Sequence, residues 1–382
     1  MTRAPEPETP HRTDPAIDRT GIHHAQVLMP CAALEPTLTF FTERLGFRVD
    51  AIYPADNPST AEISGHGLNV RLVRGAKGGI SVLYLVCDDP MATGAGVTSL
   101  GAPNGVTVEL VAANPPMPIP ATKQALAVTR ASGDASWKTG RAGMRYRDLL
   151  PGRHGGAFIA SHIRILEGGP VPDYVHYHRI RFQAIFCRKG WVRVVYEGQG
   201  EPFLLEAGDC VLQPPLMRHR VLESSAGAEV IEIGAPAEHV TLADHELTLP
   251  TTDLYPDRDF SGQRFVRHVA AAAPWAPWRI RGFEATDTGI AAATGGLAGI
   301  RVVRRKGPHA PVLQRHDSEF CFYFVLRGMV TFEFGGATHV LTADDCITIP
   351  GGMAYSLDDA SGDLELLEIT LPGEVANGSA AR

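Results

Sequence analysis

Three histidines on strand-like sequence constrain this chain more than any other feature. His176, Tyr177 and His178 are followed after four residues by Gln183 and after six more by Gly190. Then come Gly208, Pro214 and His219, separated by five residues and by four. Successive side chains of a strand point to opposite faces, so His176 and His178 project together while Tyr177 points away. His219, on a later strand closing the same barrel, completes a set of three imidazoles suited to one divalent ion. Three neutral nitrogen ligands leave coordination positions open, which is the arrangement of catalytic more than of structural sites.

The rest of the chain reads as modules around this segment. With 382 residues, two or three domains are expected. Residues 1–20 carry Pro5, Pro7, Pro10 and Pro15 among polar residues, without the apolar stretch of a secretory signal, and read as a disordered lead. Residues 21–115 read as a strand (Ile22 to Met29), a helix (Glu35 to Leu45) and strands near 47–53, 60–64, 68–73, 80–86 and 106–111. The helix rests on Leu38, Phe41 and Leu45 at helical spacing, closed by Gly46. Proline-rich and polar sequence makes 116–142 a linker. From there onward the chain is nearly all short segments rich in Val, Ile and Phe and punctuated by Gly and Pro, the pattern of all-β barrels or sandwiches.

An internal repeat divides this β region. A shift of 138 residues superposes Gly169 on Gly307, His176 on Gln314, His178 on His316, Gln183 on Cys321 and Gly190 on Gly328; a shift of 136 places Pro214 on Pro350 and His219 on Tyr355. Two copies of one fold follow, at 143–248 and 281–372, joined by a linker at 249–280 and ending in a tail at 373–382. Gln314, His316, Cys321 and Tyr355 make a poor divalent site, so the second copy is expected to pack or shield the first.

At these residues the chain resembles the cupin superfamily. Its motifs join a His-X-His pair, a glutamate and a glycine to a later glycine, proline and histidine. His176, His178, Gly190, Gly208, Pro214 and His219 match. Three positions depart: the gap from Gly169 to His176 is one residue longer, Leu216 replaces a glycine, and Gln183 stands where the family usually has a glutamate ligand. The resemblance covers about 230 residues and implies two double-stranded β-helix (jelly-roll) barrels, a mainly β fold. The 21–115 stretch resembles the vicinal oxygen chelate (glyoxalase and bleomycin-resistance) fold, through Ile22-His23-His24-Ala25 and Phe40 to Phe47. That likeness implies a small α+β βαβββ module with His24 and Glu109 at the first and last ligand positions; the two middle ligands are not evident, so a degenerate scaffold is expected.

A three-histidine first barrel beside a second without ligands is similar to bicupin ring-cleaving dioxygenases of the gentisate type. The resemblance implies Fe(II), O₂ and a small chelating substrate. Mn, Ni, Zn, Co or Cu would suit the same imidazoles. An amide oxygen is at best a weak neutral ligand, so Gln183 leaves the ion close to its full charge and favours an anionic chelator; alternatively Gln183 hydrogen-bonds substrate or oxygen as a catalytic residue. By alternation Ile185 and Cys187 share its face and Tyr196 points inward, which makes all three candidates for substrate binding, with core packing as the competing role. Arg179, Arg181, Arg218 and Arg220 could attract an anion, but a solvated outer face is the competing role for them.

Three functions stay open: a dioxygenase, a non-redox isomerase, lyase or hydrolase using the ion as a Lewis acid, and a metabolite-binding or sensing protein. Other classes lose support. There are 35 basic against 42 acidic residues and no long basic run, which argues against nucleic acid. No apolar run approaches the roughly 18 residues that cross a bilayer. Six scattered cysteines without a Cys-X-X-Cys pair signal neither a disulfide framework nor a zinc ribbon, and fit a reducing cytoplasm. Phosphate-loop and nucleophile-elbow motifs are missing. A homodimer through barrel edges is the expected assembly.

Overall fold

The computed structural model describes residues 17–77, 82–101, 107–131, 137–140 and 143–375. Parts of several expected segments therefore lie outside the described residues: 1–16 of the lead, 80–81 and 106 at two strand starts, 132–136 and 141–142 of the linker, and 376–382 of the tail. The described residues are mainly β and form two compact units, one of residues up to Asp50 with Ser59–Pro116, the other of Ala51–Pro58 with the chain from Met117 onward.

In the first unit, Ile22–Cys31 lies between Leu68–Arg74, which it pairs with in parallel, and Val82–Cys87, which it pairs with antiparallel. Val82–Cys87 then pairs in parallel with Thr107–Ala112. The expected helix is present but changes pitch: Leu34–Thr39 is α-helical and Phe40–Arg44 continues as a π-turn. It ends where a left-handed residue is needed. Gly46, at φ 72°, donates to the Thr42 carbonyl, and Phe47 donates to that of Phe41, so the last carbonyls are satisfied.

The second unit holds the repeat. In the first copy one sheet runs Val266–His268, Cys210–Leu212, Phe182–Lys189, Ala228–Ala235, Ile159–Ile165, Arg145–Asp148 and Trp137–Thr139. Facing it are Phe203–Glu206, Trp191–Tyr196, His219–Ser224, His176–Arg179 and Val240–Ala243, the last of which also pairs with Ala51 and Ile52. In the second copy Phe283–Asp287, Gly299–Arg305, Glu365–Leu371, Phe320–Arg327 and Cys346–Thr348 form the larger sheet, and Ala337–Thr342, Met329–Phe334 and Ser356–Ala360 the smaller.

The repeat survives at the level of single pairs. His176 lies opposite His219 in the first copy, and Gln314 bridges to Tyr355 in the second. The register of the central strand slips between Cys187 and Lys189 in one copy and between Val325 and Arg327 in the other, just before Gly190 and Gly328, both at positive φ.

Period-two alternation on those central strands divides the interior into layers. Phe182, Ala184 and Phe186 point out of the first sandwich, Phe320, Phe322 and Phe324 out of the second, and all six belong to one apolar core shared by the two copies. Phe158 stacks on Phe320 at 4.4 Å between ring centroids. Each buried phenylalanine there is worth about 1.5–3 kcal/mol of transfer free energy. The intervening residues point inward: Cys187 packs inside the first sandwich, while Cys321, Tyr323 and Val325 pack inside the second.

Two segments expected as linkers are structural. Ala127–Thr129 pairs with Cys346–Thr348, and thus adds an edge strand to the second copy from a point before the first. Val266–His268 pairs with Cys210–Leu212 in the first copy, while Trp278 and Arg279 enter the interior of the second. Segments of two or three paired residues carry no alternation that can be recognised in a sequence, which is why they read as connections.

The interior of the second copy holds a buried polar network. Arg279 forms an ion pair with Glu368, which also accepts from the Tyr323 hydroxyl at 3.0 Å and from Trp278 Nε1 at 3.3 Å; Tyr323 and Tyr355 hydroxyls meet at 3.1 Å. Burial opposes ionisation of Glu368, but the Arg279 guanidinium outweighs it and holds the carboxyl below its ordinary range. Removing one member of a buried pair strands the other. Glu368→Gln should therefore cost about 3–5 kcal/mol in urea unfolding, and Phe322→Ala, which opens the shared core, a similar amount.

Candidate metal centre

The three predicted histidines converge. Ligand nitrogens of His176, His178 and His219 lie within 4.8 Å of one another, the one such group of His, Cys, Asp or Glu found among the described residues. All three residues are buried, at 1, 6 and 4 % exposure. His176 and His178 share a strand face as alternation requires, and His219 stands directly across the ladder from His176.

Each ring is aimed by its other nitrogen. Nδ1 of His176 donates to the Tyr174 carbonyl at 2.8 Å and lies 3.5 Å from an Asp173 oxygen. Nδ1 of His219 donates to the Met217 carbonyl at 2.9 Å, and Nδ1 of His178 shares a 2.8 Å hydrogen bond with the Thr241 hydroxyl. With Nδ1 engaged in every case, Nε2 is the nitrogen that would hold an ion. Such outer partners fix tautomer and ring orientation and are typical of metal-binding imidazoles. Three buried imidazoles held in this way fit a divalent cation.

A cavity of about 100 Å³ opens beside them. Its wall is mostly aliphatic, with Ile159, Ile163, Ile185, Val192, Val194 and Val230 among the residues that line it. Gln183 and Tyr196 line it too. The Gln183 amide donates to Glu232 Oε1 at 2.6 Å, while its own oxygen, fully buried, has no protein partner. Tyr196 stacks on His219 with 5.6 Å between ring centroids, and its hydroxyl accepts from Gln213 at 2.9 Å. Burial raises this phenol far above its ordinary range, so it remains protonated.

Cys187 shares the Gln183 face but does not line the cavity. Its thiol bonds weakly to the carbonyls of Lys189 and Gly190, and burial, helped by Asp209, pushes it up to about 12. Arg181 and Arg218 are engaged elsewhere, by Glu319 at 3.3 Å and Asp244 at 3.0 Å, and Arg218 also lies over the Tyr177 ring. In the first unit Glu109 accepts from the Ser99 hydroxyl at 2.7 Å.

Sequence reasoning missed Glu232, Gln213, His239 and Asp56, all of which line the cavity. The His239 ring packs edge-on against His178, its Nδ1 donates to the Pro236 carbonyl at 3.2 Å, and burial lowers its pKa. One of these residues had a signal. Glu232 faces Ile185 and Glu368 faces Tyr323 across equivalent ladders, so the 136-residue shift that joins His219 to Tyr355 also joins the two glutamates.

No protein-family model and no curated protein matches this chain. Among solved structures, a mutant of Bacillus subtilis oxalate decarboxylase is similar at 13% identity over 62% of this chain and 74% of that one, with a TM-score of 0.45. A mutant of salicylate 1,2-dioxygenase from Pseudoaminobacter salicylatoxidans is similar at 16% identity over 66% and 86%, with a TM-score of 0.47. The site itself is defined by the residues described above. No helix among the described residues is long and apolar enough to cross a membrane.

Metal analysis of purified protein checks the centre directly. Wild type should take up about one divalent ion per chain, with ligands of the kind His₃ sites use, and His219→Ala should take up none. Thr241→Val, which removes only the partner of His178, should keep the fold and weaken metal affinity about 10–100-fold in a chelator competition.

Proposed function

We propose that this chain is a bicupin metalloenzyme, with His176, His178 and His219 as ligands of Fe(II), and that it cleaves a small chelating phenol, enediol or diketone with O₂. The observation that carries this reading is the buried three-imidazole cluster beside a mostly aliphatic cavity. When bound, Fe(II) supplies the one-electron chemistry that lets O₂ react with an organic molecule. The chain does the rest. Tyr174, Met217 and Thr241 hold the three rings in one orientation, and the aliphatic wall keeps water from the reacting groups. Gln183, oriented by Glu232, directs its amide oxygen at the bound molecule, and Tyr196 and Ile185 bound the space it occupies. In the same reading the second barrel is a support and the first unit a vicinal oxygen chelate-like module without metal.

One observation favours a second reading. The Glu232 carboxylate lines the cavity and is held by a side-chain amide, which suits proton transfer in isomerase, lyase or hydrolase chemistry with Zn, Mn or Ni as Lewis acid.

Oxygen electrode traces on Fe(II)-loaded protein separate the two. With catechols, hydroxy-carboxylates, enediols and 1,3-diketones as the panel, one O₂ should disappear per substrate consumed, and His219→Ala should abolish uptake. Turnover at an unchanged rate under argon would overturn the dioxygenase reading in favour of the second.

A further inference from the structure

Among the described residues that line the cavity, the buried polar side-chain atoms without a protein partner share one property. Gln183 and His239, at 1 and 6 % exposure, each present one such atom, Oε1 and Nε2 respectively; Asp56, less deeply buried, presents Oδ1. All three are acceptors. A carboxylate accepts hydrogen bonds, so the 2.6 Å contact with Glu232 takes the NH₂ end of the Gln183 amide and turns the oxygen away from it. The Pro236 carbonyl likewise requires a hydrogen on Nδ1 of His239, which leaves the lone pair of the neutral ring on Nε2. Asp56 receives Arg153 at 2.5 Å on Oδ2, and its other oxygen remains.

The charges lining the cavity point the same way. Glu232 and Asp56 are carboxylates, and no lysine or arginine is among the described residues that line it. A second acidic group on the substrate, away from the ion, would meet negative charge and acceptors. A hydroxyl or amine there would satisfy them. Buried acceptors left unpaired are costly, so a site with this lining discriminates by hydrogen-bond donors.

We infer that the substrate chelates through one edge and carries hydroxyl or amino donors, rather than a carboxylate, on the portion that faces Gln183 and His239. This rests on the metal-centred reading of the cavity and narrows its substrate class. Gln183 and His239 then set specificity, because their partners Glu232 and Pro236 decide which atom each one shows.

The test uses binding, not turnover. Protein loaded with Zn(II), kept under argon, is titrated calorimetrically with catechol, pyrogallol and 3-methylcatechol. The last two have nearly the same shape and differ in a donor hydroxyl against a methyl. Wild type should bind pyrogallol about tenfold or more tightly than 3-methylcatechol, whereas an aliphatic wall without acceptors would prefer the methyl. His239→Phe and Gln183→Leu should each pull the affinity ratio toward one or reverse it, read within each variant so that a general loss of affinity does not matter. Equal affinities or a methyl preference in wild type would overturn the inference, as would an undiminished ratio in both variants; the wild-type comparison stands even if a variant does not fold. Metal-loaded protein that binds none of the three would overturn the metal-centred reading itself, and this inference with it.

Discussion

The pairing of the His176–Arg179 strand with the His219–Ser224 strand is the constraint on which the site depends. Two of the imidazoles come from alternate positions of one strand, but the third arrives from more than forty residues away and meets them because the ladder sets His219 against His176. A register slip of one residue would turn His219 to the opposite face and disperse the cluster. The opposite sheet places the remaining polar groups of the site. Alternation on the facing strand commits Phe182, Ala184 and Phe186 to the core shared with the second copy, and that burial leaves Gln183 and Ile185 no direction but inward. Apolar area on one side of a strand thus positions polar atoms on the other.

The two copies show how one scaffold can treat the same interior differently. Each places a glutamate on its last long strand, opposite equivalent positions of the central strand. In the second copy the chain supplies its own cation: Arg279 enters from the preceding segment and pairs with Glu368 under two tyrosines. Aromatic side chains take up the remaining space, since Phe332, Tyr323 and Tyr355 are all buried there. In the first copy the equivalent glutamate meets an amide instead, and three imidazoles stand where the second copy has Gln314, His316 and Tyr355. A guanidinium bound covalently to the chain is always present, and makes an interior that needs no other cation. Imidazoles held by carbonyls and a hydroxyl make a receptive one.

Much of this was legible. The spacing of His176 and His178 settles that they share a face, because the backbone of any strand alternates, and the same rule places Ile185 with Gln183. Gly190 and Gly328 stand at matching turns with positive φ, where a side chain is strained, so the repeat could be followed through them. Harder to read were the residues that complete the cavity. Glu232 sits on a strand buried on both faces, where alternation of polar and apolar residues disappears. His239 and Asp56 lie in short irregular stretches with no period, and Ala127–Thr129 and Trp278-Arg279 resemble connecting sequence until their partners are known.

Local backbone geometry, then, was determined by the sequence itself: which side chains lie on one face of a strand, where the chain turns, and that the motif positions carry three imidazoles in one copy and a single one in the other. These follow from φ and ψ preferences and the pleat, which act over a few neighbouring residues. Only the tertiary structure decided which atoms of Gln183 and His239 lack a protein partner, that Glu232 meets Gln183, and that Arg279 pairs with Glu368 inside the second copy. Those outcomes depend on hydrogen bonds and burial between segments tens of residues apart, and no local preference encodes them.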